Sequence, residues 1–234
     1  MKAKLLDLIK AGREKEESDL VPHVDDALPG KPGAWSAKDQ LAHLMAWRQV
    51  ATAEINAVRT GGKGPAVSAD DDIENARIYD ETHDQPATAV LDAGRSSWDE
   101  LTAALEACTE EDLLKPRTRR PEPLWREIPN NTCFHVGDHL VYWHQDRGDD
   151  AAAERAAAWA HHLAMTMLPD DEAIGVAAYN FGCFFAKRGR VFEAMPHLRQ
   201  GIELRPDLRD WARQDADLDP IRSEPELEAL LAER

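Results

Sequence analysis

Apolar positions recur along this chain at three- and four-residue spacings, and no segment alternates strictly every second residue. The pattern predicts helices and no strands. Leu5, Ile9, Leu20, Val24 and Leu28 share one helical face and predict a first helix over much of residues 2–28. The polar run Arg13 to Ser18 and Pro22 weaken it, and Pro29-Gly30 with Pro32-Gly33 stop it. Leu41, Leu44, Ala51, Ile55 and Val58 predict a second helix. Ser36, with Asp39 three residues later, opens it as a capping box, and Gly61-Gly62 ends it. Residues 61–85 are acidic and poorly periodic, a long connection with a short helix near Ile73 to Tyr79. A third helix follows from about Pro86 to Cys108, with Leu91, Trp98, Leu101 and Leu105 inward, and Thr109 to Asp112 caps a short turn. The four prolines in residues 115–129 exclude a regular helix or a central strand there. A fourth helix is expected from about Asn131 to Arg147, with Asn131 or Thr132 as its cap.

Four helices with one long second-to-third connection imply an all-α bundle with a crossover, helices 2 and 3 parallel and helix 4 antiparallel to helix 2. This bundle occupies residues 1–148, and a second helical part occupies 149–234. The latter opens with an alanine-rich helix over 149–168. Phe181-Gly182, Phe185, Gly189, Ala194, Leu198 and Pro206 then fall at the offsets of the tetratricopeptide pattern, which resembles one repeat over about Gly175 to Leu208. Ala178, Gly201 and Pro196 depart from that pattern, and Ser223 with Glu226 predicts a capping box before a terminal helix. One repeat cannot bury both of its faces, so flanking helices should cover it. The module then serves homodimer assembly or recognition of a protein partner.

Composition narrows the function. A hydrophobic fraction of 43% is ordinary for a globular chain, and a formal net charge of −16 repels phosphate backbones and anionic bilayers. Neither nucleic acid nor membrane is expected as a partner. The apolar stretch near Met1 is too short for a secretory segment, and no run of about 18 apolar residues occurs, so the expected location is the cytoplasm. Cys108, Cys133 and Cys183 lie far apart with no C-x-x-C spacing, which reads as buried reduced thiols.

His135 and His139 stand at i and i+4 on the fourth helix, so their side chains share one face about 5–6 Å apart and can reach one ion. Their alternative role is a partly exposed polar stripe. A third ligand must come from another helix, and His43 in the second turn of helix 2 is the candidate; its alternative is a core histidine bonded to a carbonyl. Three imidazoles would leave open coordination positions, as a catalytic ion requires.

Two stretches carry a resemblance. Gly33-Ala-Trp-Ser-Ala-Lys-Asp-Gln-Leu-Ala-His-Leu-Met-Ala-Trp47 is similar to the second-helix signature of DinB-like proteins, closest to the ClbS/DfsB-type branch. Asn131-Thr-Cys-Phe-His-Val-Gly-Asp-His-Leu-Val-Tyr-Trp143 resembles the fourth-helix pattern of the same branch. The resemblance spans about residues 1–148. It implies a four-helix bundle in which His43, His135 and His139 bind a divalent metal. It further implies a metal-dependent hydrolase, or a transferase using a low-molecular-weight thiol, that acts on a small electrophilic molecule in detoxification. A three-histidine set accommodates Zn, Ni, Fe or Mn.

Three neighbours are candidate pocket residues. Trp47 and Trp143 each lie four residues after a proposed ligand and would wall a pocket or simply fill the core. Asp39, one turn before His43, would orient the free ring nitrogen of that histidine or only cap the helix. Arg117, Arg119 and Arg120 in the proline-rich loop read as solvated surface or as a loop that favours an anionic substrate. His144, His161 and His162 are assigned to helix surfaces. The rival function is a non-enzymatic interaction or ligand-sequestering protein.

Overall fold

A computed structural model describes residues 1–27 and 33–232. Among the described residues the chain is all-α, and its one extended pairing is an isolated bridge between Pro116 and Pro123. Leu28, expected on the apolar face of the first helix, and the stop signals Pro29-Gly30 and Pro32 lie outside the described residues. Backbone contacts divide the chain into two compact units, Met1–Ala156 and Ala157–Arg234.

In the first unit, α1 spans Lys2–Asp19, shorter than the expected 2–28. Pro22 has no amide hydrogen to continue an α-helical ladder, so the chain passes into a single tight turn, Val21–His23. α2 runs Ala37–Thr60 with the predicted Ser36–Asp39 capping box, and ends at Gly61 in the left-handed conformation. Within the long connection lies α3, Asp71–Thr82, capped by the Asp70 carboxylate and longer than the periodicity implied. α4, Ala87–Glu106, begins after Pro86 and buries Val90, Trp98, Leu101 and Leu105. Leu91 is half-buried rather than fully inward. The short turn expected at Thr109 to Asp112 is α5, Glu110–Leu114, which Thr109 and Asp112 open with a capping box.

The fourth bundle helix differs from expectation at its start. Neither Asn131 nor Thr132 caps it. Helix instead begins upstream with α6, Glu127–Pro129, passes through a wide turn over Asn130–Phe134, and continues as α7, His135–Asp146. Side chains take the carbonyl groups that this turn displaces. Asn131 Nδ2 donates to Glu127 O at 2.9 Å, and Thr132 Oγ1 donates to Ile128 O at 2.6 Å. Such wide turns re-aim the residues that follow them, here His135.

α2 packs most extensively on α4, and α3 lies against α2. Between α1, α2 and α4 a charged cluster is buried. Arg48, 0% exposed, donates to both Glu16 carboxylate oxygens at 2.7 and 3.1 Å, and Ser97 Oγ accepts from its Nε at 3.0 Å. Trp98 Nε1 donates to Glu16 Oε1 at 3.0 Å, and the Arg48 guanidinium lies 4.0 Å from the Trp98 ring centroid. Buried charges of this kind persist only when paired and bonded.

α8, Asp150–Met167, contains the division between the units. In the second unit, α9, Asp171–Ala186, and α10, Val191–Leu204, form a tight hairpin. A Cβ built on Gly182 would stand 2.8 Å from Leu198, and one on Gly201 would stand 2.8 Å from the Tyr179 backbone nitrogen. Pro196 lies inside α10, as expected. His161 is not a plain surface histidine, because its ring stacks on Phe181 at 4.5 Å and meets His197 at 5.0 Å. α11 spans Leu208–Ala212 and α12 spans Pro225–Ala232. The predicted Ser223–Glu226 box does not form. α12 starts one residue later than that box requires, at Pro225, whose missing N–H suits the first helical position.

Candidate metal centre

The capping box at Ser36 fixes where α2 begins, and the 3.6-residue period then puts Gln40, His43 and Trp47 on one flank of the helix. His43 is 3% exposed. α7 brings His135 and His139 to the same place from the other side. The three ring centroids lie 4.5, 4.6 and 5.0 Å apart, and one ligand atom from each histidine falls within 4.8 Å of the other two. Among the described residues this is the group of at least three histidine, cysteine or carboxylate side chains positioned to hold a metal ion.

The donor set fits an ion on three counts. His43 Nε2 and His135 Nε2 stand 3.1 Å apart. Two nitrogens bound to one ion at roughly 2.0–2.1 Å are separated by about 3.0–3.4 Å, so this spacing needs little change on loading. His139 Nδ1 faces the side-chain oxygen of the buried Gln40, an acceptor only, so Nδ1 carries the proton and Nε2 keeps its lone pair. Burial lowers the His43 pKa to about 4. Burial, with the neighbouring His43, lowers His139 to about 3, and burial, with His139, His43 and Arg48 nearby, pushes His135 well below its ordinary value. All three rings are therefore neutral at neutral pH, the form that coordinates.

Asp39 does not orient His43. Its carboxylate is already engaged, accepting from Ser36 N at 3.1 Å and facing His83 Nδ1 at 3.1 Å. His43 Nδ1 is buried and has no hydrogen-bond partner among the described residues. The orienting contact belongs instead to Gln40 on His139, a role that a polar residue in helical spacing does not announce.

Above the histidines opens a cavity of about 1000 Å³. Trp47 lines it, its Nε1 donating to Asn75 Oδ1 at 3.1 Å. Trp143 does not; it is buried against His23 at 4.9 Å and under the Arg147 guanidinium at 4.9 Å. The second aromatic wall is Trp35, whose ring lies 5.1 Å from His43 and 6.1 Å from His139, and which stacks on Tyr79 at 5.6 Å. Trp35 stands in the very stretch that carried the resemblance, but without a helical period to place it. Tyr142, Asn130 and Asn131 also reach the cavity, as do Arg117, Arg119 and Arg120 from the proline-rich loop. Cys108, Cys133 and Cys183 are free and buried, as expected, and burial pushes the Cys133 thiol up to about 12.

No helix in the described residues is long and apolar enough to cross a membrane. No curated protein and no solved structure matches the chain. A model of the DinB superfamily matches residues 16–165, which takes in all three histidines, Gln40, both tryptophans of the cavity and the arginine loop. By that match over most of its length, the chain belongs to the DinB superfamily.

Proposed function

We propose that this chain is a metal-dependent enzyme acting on a small electrophilic molecule in the cavity, by hydrolysis or by transfer to a low-molecular-weight thiol. The observation that carries this reading is the convergence of three neutral imidazoles beneath an open, polar cavity. A divalent ion such as Zn, Ni, Fe or Mn, when bound, supplies Lewis acidity toward a substrate oxygen and a lowered pKa for a coordinated water or thiol. His43, His135 and His139 hold it, and Gln40 fixes the ring of His139. Trp35 and Trp47 flank the substrate, and Asn130 and Asn131 offer amide hydrogen bonds nearby. The chain's own thiols are buried and their pKa values raised, so a thiol nucleophile would arrive as a co-substrate.

Elemental analysis of protein purified without an affinity tag tests this. A stoichiometric divalent ion is expected, lost in His43→Ala. A wild-type protein without an ion, and a His43→Ala variant that takes up added metal as well as wild type, would sink the reading.

The second unit supports a tetratricopeptide-like reading of α9 and α10. Gly182 and Gly201 occupy the helix–helix contact where such hairpins need small residues, and Phe185 and Leu198 are buried beside them.

A further inference from the structure

The loop over residues 115–124 is built more firmly than its proline content suggests. Leu124 N donates to Lys115 O at 2.8 Å and Arg117 N donates to Glu122 O at 3.1 Å, closing its base. The Arg117 guanidinium spans to Glu122 in the loop at 2.7 Å and to Glu127 on α6 at 2.8 Å, so this arginine is neutralised by two carboxylates. The tip is held separately. Glu54 on α2, 1% exposed, accepts from the Thr118 backbone N–H and from its hydroxyl at 2.6 Å. Gly64 lies so close that a Cβ there would overlap Thr118 Oγ1.

This anchoring leaves the next two residues differently placed. Arg119 Nε makes one long ion pair, to Glu54 at 3.9 Å, and the two Glu54 oxygens also serve Thr118. Arg120 is exposed. Both line the same cavity as the histidine triad. Two guanidinium groups are thus presented on a pre-fixed backbone, in a chain whose net charge of −16 otherwise repels anions. Planar guanidinium forks read carboxylate and phosphate oxygens in pairs. Four carboxylates share the lining: Glu54 is held by Thr118, Glu127 is paired with Arg117, and Asp71 and Asp72 reach in from α3, so the cavity is dipolar rather than uniformly positive.

We infer that Arg119 and Arg120 form an anion subsite that holds a carboxylate, phosphate or sulfonate group of the substrate while its reactive centre lies at the histidines. This rests on the reading of the cavity as the active centre, and it names the substrate class as an anionic small molecule.

The test is calorimetric titration of the full chain, freed of metal, with inorganic phosphate and, separately, with succinate. Working without metal keeps the outcome independent of whether the triad binds an ion, which elemental analysis decides. Binding of at least one probe is expected, weakening as salt rises and falling about tenfold or more in the Arg119→Gln/Arg120→Gln variant. Arg95→Gln, on the exposed face of α4, should leave it unchanged. Circular dichroism of the double variant should match wild type, since neither side chain anchors the loop. Phosphate binding with succinate refused would assign the subsite to phosphate esters, and the reverse to carboxylates. Equal affinity in the double variant, an equal loss in Arg95→Gln, or no binding of either probe to wild type would overturn the inference.

Discussion

Gln40 Oε1 accepts from His139 Nδ1, joining the second helix to the fourth through a contact that is buried on the Gln40 side. An amide oxygen cannot donate, so the contact selects one tautomer of His139 and directs its other nitrogen to the triad. Residues that orient a ligand in this way typically contribute 10- to 100-fold, roughly, to metal affinity. Gln40→Ala should therefore weaken metal binding by about that factor in a chelator competition, with helical content retained. Gln40→Glu, which preserves the acceptor, should recover much of the loss. Equal affinity in all three proteins would remove Gln40 from the site.

The pairing of Glu16 with Arg48 makes a different prediction, because both groups are buried beneath the bundle surface, share Trp98, and leave Arg48 a further bond to Ser97. Removing one partner leaves the other charged without compensation, at a cost of about 3–5 kcal/mol. Arg48→Met should lower the denaturation midpoint by that equivalent. The Glu16→Leu/Arg48→Met pair should regain a large part of it, since apolar groups of similar volume replace a buried ion pair with little loss. A single variant as stable as wild type would show that the cluster is hydrated in solution.

How far the sequence foretold this site depends on what each residue's signal was. Ser36 with Asp39 is a local device, decided within four residues, and it formed as expected. His135 and His139 share a helical face through spacing alone, and the resemblance pointed to His43. Gln40, Trp35 and His83 had no such signal, since their roles exist only once a second element is packed against them. Asp39 illustrates the point: its position one turn before His43 suggested an orienting carboxylate, but the capping box turned it toward Ser36 and His83. Trp143 shares the i+4 logic of Trp47, yet its ring is taken up by His23 and Arg147. The fourth helix begins upstream of the expected Asn131, and a wide turn over Asn130–Phe134 breaks the 3.6-residue period that would mark its start.

Acid should destabilise the metal-free chain through its buried histidines. The unfolded chain protonates these rings near 6.5, whereas burial holds His43 to about 4, His139 to about 3 and His161 to about 4. Between those values the unfolded state binds more protons than the folded one, so stability falls as pH drops from about 6.5 toward 4. Carboxylates such as Asp112, held low by Lys115 and Thr109, lose their contribution only below that window. Urea titrations of metal-free protein at about pH 7.5 and about pH 5 should show the decline, and His161→Phe should reduce it. A flat profile across this range would mean that the rings are hydrated and titrate normally.

Two glycines in helices should respond to alanine in opposite directions, for reasons that lie in their neighbours. Gly201 in α10 faces the Tyr179 backbone, where an added Cβ would stand 2.8 Å from both the nitrogen and the Cβ of that residue. Backbone cannot swing aside as a long side chain can, so α9 and α10 must separate. Overpacking of this kind costs about 1–3 kcal/mol. Gly94 in α4 has nothing among the described residues within 4 Å of the equivalent position, and no positive φ. Alanine there restricts the unfolded chain without a clash, and should stabilise by roughly 0.4–1 kcal/mol. Thermal unfolding of the two variants should thus move the transition of the affected part down for Gly201→Ala and up for Gly94→Ala. A neutral Gly201→Ala would show that the α9–α10 contact is looser than the close approach of Gly201 to Tyr179 requires.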